Sequence, residues 1–303
     1  MSAGAMAHDS APDAGESAGA LAPDFLVVVL DLNADEWFRA SRRAGDAFAA
    51  LRQALASVLV FLNAHMAMQH GNGLAVYGVA SGVSRRHPAK SPGRHATESK
   101  RHRTCRMGMS LPFQQIDDVV FDGARRMLED ASACDSARGP VNIVKALSLA
   151  LCFIHRQTLS GTADTSAPHD GGTRASATRH RILLLSASPD ASSQYVPMMN
   201  CIFSAQKQVR LLHPPPIADT SSHQGIPIDV CKLFGEDTVF LRQACHVTGG
   251  NYYRLRALDE LLQVLMCVYL PSRSIRGQLQ FPALDEVDFH EDVVRALVRG
   301  EAG

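Results

Sequence analysis

Several features that mark common protein classes are missing from this sequence. The 303-residue chain has no net charge, because its 30 Lys and Arg residues balance 30 Asp and Glu residues. It therefore has no overall field that would attract nucleic acid or an anionic membrane. No run of about 18 apolar residues occurs, which argues against a membrane-spanning helix. Residues 1–23 are rich in Ala, Gly, Ser and Asp and lack the basic and apolar segments of a secretory signal, so we predict a disordered tail.

Motifs of several enzyme classes are also missing. There is no glycine-rich phosphate-binding loop and no G-x-S-x-G element, which leaves nucleotide-binding and hydrolase sites unsupported. No C-x-x-C pair or compact set of four zinc ligands occurs. The cysteines are odd in number and lie mostly in apolar runs, which indicates buried reduced thiols. They are Cys105, Cys134, Cys152, Cys201, Cys231, Cys245 and Cys267.

What the sequence does contain is an alternation of apolar strands and helical patterns. Continuous apolar runs of this length are typical of parallel strands that are buried on both faces. The predicted strands are 25–31, 74–80, 181–188, 226–233 and a short strand at 251–255. The predicted helices are 44–68, 114–131, 141–157, 192–208, 237–247 and 257–270. The helix at 141–157 is apolar almost all round, so we predict that it is buried. This order predicts an α/β fold with a mostly parallel sheet and helices on both faces.

Two polar segments interrupt this pattern, at 81–110 and 160–178. The first contains eight Lys or Arg residues and a single acidic residue. A solvated loop insertion is the favoured interpretation, because the segment has too few apolar residues to form a core. A phosphate-contacting patch is the alternative, although no interleaved aromatic residues support base stacking.

Acidic residues follow two of the predicted strands, where ligands bind in folds of this kind. Asp31, Asn33 and Asp35 follow the first strand, and Asp190 follows the third. Their oxygens are ligands that Mg²⁺ accepts. A metal-binding von Willebrand factor A site needs Asp-x-Ser-x-Ser, a Thr and a further Asp. Both serines and a clear Thr are missing, so a helix-capping turn is favoured. Trp37, the single tryptophan, is either an exposed partner anchor near this edge or part of the core.

Five segments in one order resemble the family of subunit 3 of the general transcription and DNA-repair factor IIH. They are LVVVLDLNADEW, KALSLALCFIHR, RILLLSASPDASSQYVPMMNCIFSAQKQ, LRQACHVTGGNYYRL and LMCVYLPSRSIRGQLQFPALDEVDF. The matches run with gaps from about residue 25 to residue 289. The resemblance implies a von Willebrand factor A-like domain, which we place at residues 24–272. Residues 273–303 would form a C-terminal extension.

The resemblance also implies a function and a cofactor. It implies a nuclear, non-catalytic structural subunit of the factor IIH core, active in RNA polymerase II transcription initiation and nucleotide-excision repair. The implied partners are other core subunits, chiefly the one with its own von Willebrand A domain and zinc modules. The family carries a four-cysteine zinc module, but this sequence has no cysteine after Cys267. We therefore expect no cofactor in this chain.

Three hypotheses follow. The scaffold hypothesis predicts no metal requirement and a large apolar docking face. A metal-dependent binding module would use Asp31, Asn33, Asp35 and Asp190 and would need a cation to hold its partner. An α/β enzyme is the least supported hypothesis, because no nucleophile, base and oxyanion-binding group converge in the sequence.

Overall fold

A computed structural model describes most of the chain between Pro23 and Arg276. The described residues are 23–42, 46, 48–69, 71–81, 83–87, 112–133, 141–163, 178–212 and 225–276. Outside them lie Cys105 and Cys134, residues 1–22 of the predicted tail at 1–23, most of the basic segment at 81–110 and most of the polar segment at 160–178.

One six-stranded sheet organises the described residues. Its strands are β1 (Asp24–Asp31), β2 (Gly73–Ala80), β3 (Val83–His87), β4 (Arg179–Ser186), β5 (Ile228–Lys232) and β6 (Tyr252–Arg254). They lie in the order β3-β2-β1-β4-β5-β6, and every pair is parallel except β2 with β3. The long apolar strand β1 is therefore central, with Val28 paired to Val76 on one side and to Leu183 on the other.

Helices cover both faces of the sheet. They are α1 (Ala34–Ser41), α2 (Ala49–Met68), α3 (Pro112–Ala133), α4 (Ile143–Ala163), α5 (Tyr195–Leu212), α6 (Val239–Thr248), α7 (Leu261–Val264) and α8 (Arg273–Arg276). Successive side chains of β1 point to opposite faces of the sheet, as the two-residue period of a strand requires. Leu26, Val28 and Leu30 pack with α1, α2, α3 and α7. Phe25, Val27 and Val29 pack with α4, α5 and α6. The predicted α/β fold is confirmed.

The structure corrects several element predictions. The predicted capping turn begins helix α1, whose extent was not predicted, and α2 begins at Ala49 instead of 44. The start of the basic segment is a strand: Val83–His87 pairs antiparallel with β2, so it is not a loop. Few apolar residues are needed there because β3 is an edge strand with one sheet neighbour. The last predicted helix is a 3₁₀ turn, the short α7 and a π-helical turn at Leu265–Tyr269.

The domain boundary at residue 272 and the burial of the fourth helix also need correction. The fold continues through α8, because Arg276 binds the buried Asp229 with two hydrogen bonds of 2.8 Å. Helix α4 is only partly buried: Leu149 and His155 are exposed, whereas Leu147 is fully buried. An almost wholly apolar helix was expected to be covered on all sides, but the fold covers one side of it.

Helix α2 has the length and the composition of a membrane-spanning helix. Its buried side chains pack against the sheet, among them Leu51, Leu55, Phe61 and Leu62. These contacts are those of a core helix in a globular domain.

Helix α6 ends at the two glycines that were predicted to close it. Gly249 has φ 68°, in the left-handed region, and forms the C-cap. A Cβ at Gly250 would lie 2.0 Å from the carbonyl oxygen of Ile228. Both glycines are therefore required by the backbone at the turn from α6 to β6.

Candidate functional site at the carboxyl end of the sheet

Asp31 is the last residue of the central strand and is 1% exposed. Its Oδ2 accepts hydrogen bonds from the backbone N–H groups of Ala187 (2.9 Å) and Ser188 (2.6 Å), in the turn after β4. Its Oδ1 accepts one from the N–H of Asn33 at 3.1 Å. Burial raises the pKa of Asp31, and the bonds from Ser188, Ala187 and Asn33 oppose that rise. Both carboxylate oxygens are thus bound by the protein backbone.

Asn33 and Asp35 complete a helix cap, as the favoured interpretation predicted. Asn33 is the N-cap of α1, and its side-chain oxygen accepts a bond from Asp35 N at 3.2 Å. Its Nδ2 donates to the hydroxyl of Ser188 at 2.9 Å. Asp35 is exposed in the first turn, where a carboxylate stabilises the helix dipole.

Asp190 lies beside the same edge but points to a different helix. Its Oδ2 accepts a hydrogen bond of 3.2 Å from Phe240 N, in the first turn of α6. Burial raises its pKa to about 6, against which the bonds from Phe240 and Val239 and the charge of Lys232 act. Asp190 is therefore a helix-capping carboxylate in a poorly solvated place.

Lys232 is the residue of this edge that the sequence interpretation missed. It ends β5, is 1% exposed, and its Nζ donates to the carbonyl oxygens of Ser188 (2.5 Å) and Ala187 (3.3 Å). Burial lowers its pKa, which nearby carboxylates raise, Asp31 and Asp190 most strongly. The sequence did contain a signal for Lys232. It is a lysine at the end of an apolar strand, and acidic residues follow two other strands of the same sheet.

Trp37 belongs to the core, so the prediction of an exposed partner anchor is wrong. Its side chain is 2% exposed, and its Nε1 donates to the backbone oxygen of Asp31 at 2.8 Å. Its ring meets that of Phe234 edge to face, with centroids 4.9 Å apart. Because α1 starts directly after β1, its first turn directs Trp37 back over the sheet.

The four residues that were considered as candidate metal ligands do not form a cation site. Asp31 is used by backbone amides, Asn33 and Asp190 cap helices, and Asp35 faces solvent. Within the described ranges, no group of three or more His, Cys, Asp or Glu side chains has the geometry to hold a metal ion. A divalent cation such as Mg²⁺ would also meet the positive charge of Lys232. The residues present therefore do not fit the metal that this type of fold can carry.

The amino end of the sheet, where the parallel strands begin, holds a second group of buried charges. We call Asp24, Arg181, Asp229 and Arg276 the amino-end clasp. Arg276 binds both carboxylate oxygens of Asp229 at 2.8 Å, and Arg181 binds Asp24 at 2.6 Å. Both arginines also donate to the backbone oxygen of Tyr269. The clasp ties the chain after the π-helical turn to β1, β4 and β5.

Comparisons with known proteins identify the family. Residues 23–293 match the family described as transcription factor Tfb4. The chain belongs to this family. The subunit tfb4 of general transcription and DNA repair factor IIH from Schizosaccharomyces pombe is 33% identical over 271 residues, 88% of this chain and 76% of its own length. The corresponding TFB4 of Yarrowia lipolytica is 31% identical over 290 residues, 88% and 75% of the two chains.

A solved structure supports both the family and the fold. The crystal structure of the TFIIH p34 N-terminal domain is 26% identical, with a TM-score of 0.60, over 81% of this chain and 97% of that one. The resemblance found in the sequence and the von Willebrand factor A-like fold it implied are confirmed.

In this Tfb4 family member, the prediction of buried thiols agrees with three of the described cysteines and is wrong for Cys152 and Cys267. Cys201, Cys231 and Cys245 are buried, Cys152 and Cys267 are exposed, and all five are free. Burial raises the pKa of Cys231 and of Cys245, which makes both thiols poor nucleophiles.

Proposed function

We propose that this chain is a non-catalytic structural subunit of general transcription and DNA repair factor IIH. In this role it supports RNA polymerase II transcription initiation and nucleotide-excision repair in the nucleus, through contacts with other proteins. Membership of the Tfb4 family supports the proposal, because its named members are subunits of that factor. The proposed partners are other core subunits, chiefly the one with a von Willebrand A domain and zinc modules.

One observation carries the scaffold role: α4 and α5 expose large apolar side chains. Leu149 and Leu159 on α4 are 39% and 47% exposed, and Val196 and Phe203 on α5 are 66% and 45% exposed. We call these four residues the α4–α5 apolar surface. Val196 and Phe203 are seven residues apart, so they lie along one side of α5, whereas Leu149 and Leu159 are ten residues apart and diverge by about 80° around α4. The two helices are neighbours on the same face of the sheet.

Such a surface fits a protein partner. An aromatic residue such as Phe203 is the type of side chain that contributes most to binding when a partner buries it. The sequence of α4, apolar almost all round, is explained if the partner covers the side that this fold leaves open.

The carboxyl end of the sheet supports a non-catalytic role. Its charged groups bind backbone amides and carbonyls, and its carboxylates cap helices or face solvent, which leaves no free acid–base pair among Asp31, Asp190 and Lys232. Catalysis by proton transfer needs such a group within reach of a substrate.

The experiment is a quantitative pull-down of the tagged full chain from nuclear extract. We expect Phe203→Asp to reduce recovery of factor IIH core subunits about tenfold or more, because a charge would be buried in the interface. Val60→Asp is the matched control: Val60 is 50% exposed on α2, on the other face of the sheet. Equal loss of core-subunit recovery with both variants, or no loss with either, would contradict this docking surface.

The same pull-down with EDTA tests the alternative, a metal-dependent binding module of the von Willebrand A type. The scaffold proposal expects equal recovery with and without the chelator. Recovery that is lost with EDTA and restored by Mg²⁺ but not by Zn²⁺ would support the alternative instead.

A further inference from the structure

The turn that follows β4 lies between two opposite charges. The N–H groups of Ala187 and Ser188 point to Asp31, at 2.9 and 2.6 Å. The carbonyl oxygens of the same two residues accept from Lys232, at 3.3 and 2.5 Å. Peptide groups have their positive end at N–H and their negative end at C=O. The negative charge of Asp31 therefore faces the N–H groups of these two residues, and the positive charge of Lys232 faces their carbonyl oxygens.

This arrangement gives Lys232 the electrostatic position of a bound cation. Its ammonium lies at the carboxyl ends of parallel strands and donates hydrogen bonds to two backbone oxygens, and the charges of Asp31 and Asp190 act most strongly to raise its pKa. A hard cation in a protein site is also held by carbonyl and carboxylate oxygens. The lysine side chain supplies one positive charge there without a free ion.

We propose that the Lys232 ammonium replaces the divalent cation at this edge of the sheet, so that the edge is built and held without metal. The lysine keeps the 187–188 turn attached to β5 and neutralises the buried Asp31. Removing its side chain would uncover oxygen ligands that a cation can use.

The single tryptophan makes this testable by luminescence. Trp37 Nε1 is 2.8 Å from the backbone oxygen of Asp31, so a Tb³⁺ ion bound beside Asp31 would be excited through the Trp37 ring. The full-length wild-type chain should show no saturable Tb³⁺ emission. Lys232→Ser should show emission that saturates with a Kd on the order of 10⁻³ M and is displaced by Ca²⁺.

Lys232→Met is the matched control, because it keeps most of the side-chain volume without the charge. It should give no emission, and its Tm should fall by about 5 °C in both EDTA and Ca²⁺. Lys232→Ser should lose at least as much Tm in EDTA and recover part of it in Ca²⁺.

Three results would overturn the proposal. The first is saturable, Ca²⁺-displaced emission from the wild-type chain. The second is a wild-type Tm for Lys232→Met. The third is a Lys232→Ser variant that is folded, as circular dichroism would show, and that gives no saturable Tb³⁺ emission. If Lys232→Ser does not fold in either solution, the wild-type and Lys232→Met measurements decide the outcome.

Discussion

The two ends of the sheet bury charge in different ways. At the amino end, carboxylates and guanidinium groups bind each other directly, as Asp229 does with Arg276 at 2.8 Å. At the carboxyl end, Asp31 and Lys232 are linked through the peptide groups of the 187–188 turn. A charge that depends on one partner side chain loses more when that partner is removed than a charge held by several backbone groups. The amino-end clasp should therefore be the more fragile arrangement.

The largest effect is expected at the clasp. Arg276→Met would remove both guanidinium hydrogen bonds to the fully buried Asp229, which would keep the hydrogen bond of 2.8 Å from the backbone N–H of Asn251. Uncompensated buried charge costs about 3–5 kcal/mol of unfolding free energy. Urea denaturation of the full chain would measure it. The double variant Asp229→Asn with Arg276→Met removes both charges, so its free energy of unfolding should fall clearly less than that of Arg276→Met alone. A loss below about 1 kcal/mol for Arg276→Met would abolish the contrast between the two ends.

A smaller loss is expected for Trp37→Phe at the carboxyl end. The variant removes the hydrogen bond to the Asp31 oxygen and part of the contact with Phe234, which together should cost about 2 kcal/mol. Phe38→Ala is the neighbouring control, because Phe38 is 54% exposed, and it should cost much less. Recovery of partner subunits should be unchanged by Trp37→Phe. If Trp37→Phe had the wild-type stability but recovered fewer partner subunits, Trp37 would be a partner anchor after all.

The smallest effect has the opposite sign. The pKa of Asp190 is about 6 in the folded chain and 3.8 in the unfolded reference, so the folded state holds the proton more tightly. Stability from this group is therefore highest below about pH 4 and falls as the pH rises to about 6. Asp190→Asn should stabilise the chain by about 1–2 kcal/mol at pH 7 and by almost nothing at pH 4. Thermal unfolding at the two pH values would measure this, and destabilisation at pH 7 would show that the charged carboxylate is needed there.

The sequence predicted the layers of the fold better than it predicted the buried charges. Strands β1, β2, β4 and β5 were found because each is a run of apolar residues between polar turns. The extent of helix α1 was missed because the helix has eight residues and few apolar side chains other than Trp37 and Phe38. Strand β3 was missed because an edge strand can be polar.

The buried ions are harder to predict because their partners are distant in the chain. Arg181 and Asp24 are 157 residues apart, and Lys232 is 44 residues from Ser188. Arg181 begins one predicted strand and Lys232 lies inside another, and no local pattern links either residue to its partner. Only the strand order, with β1 between β2 and β4 and with β5 beside β4, brings each residue to the same end of the sheet as its partner.

The clasp also determines where the flanking parts of the chain leave the domain. Asp24 starts β1 and Arg276 closes α8, and both take part in the clasp at one edge of the sheet. Residues 1–22 and 277–303 are therefore attached at the same end of the domain, away from Lys232. A partner that held one of these segments would experience the other at a high effective concentration, because both attachment points are fixed close together. Two weak contacts made there could then combine into one long-lived attachment, without any change in the domain itself.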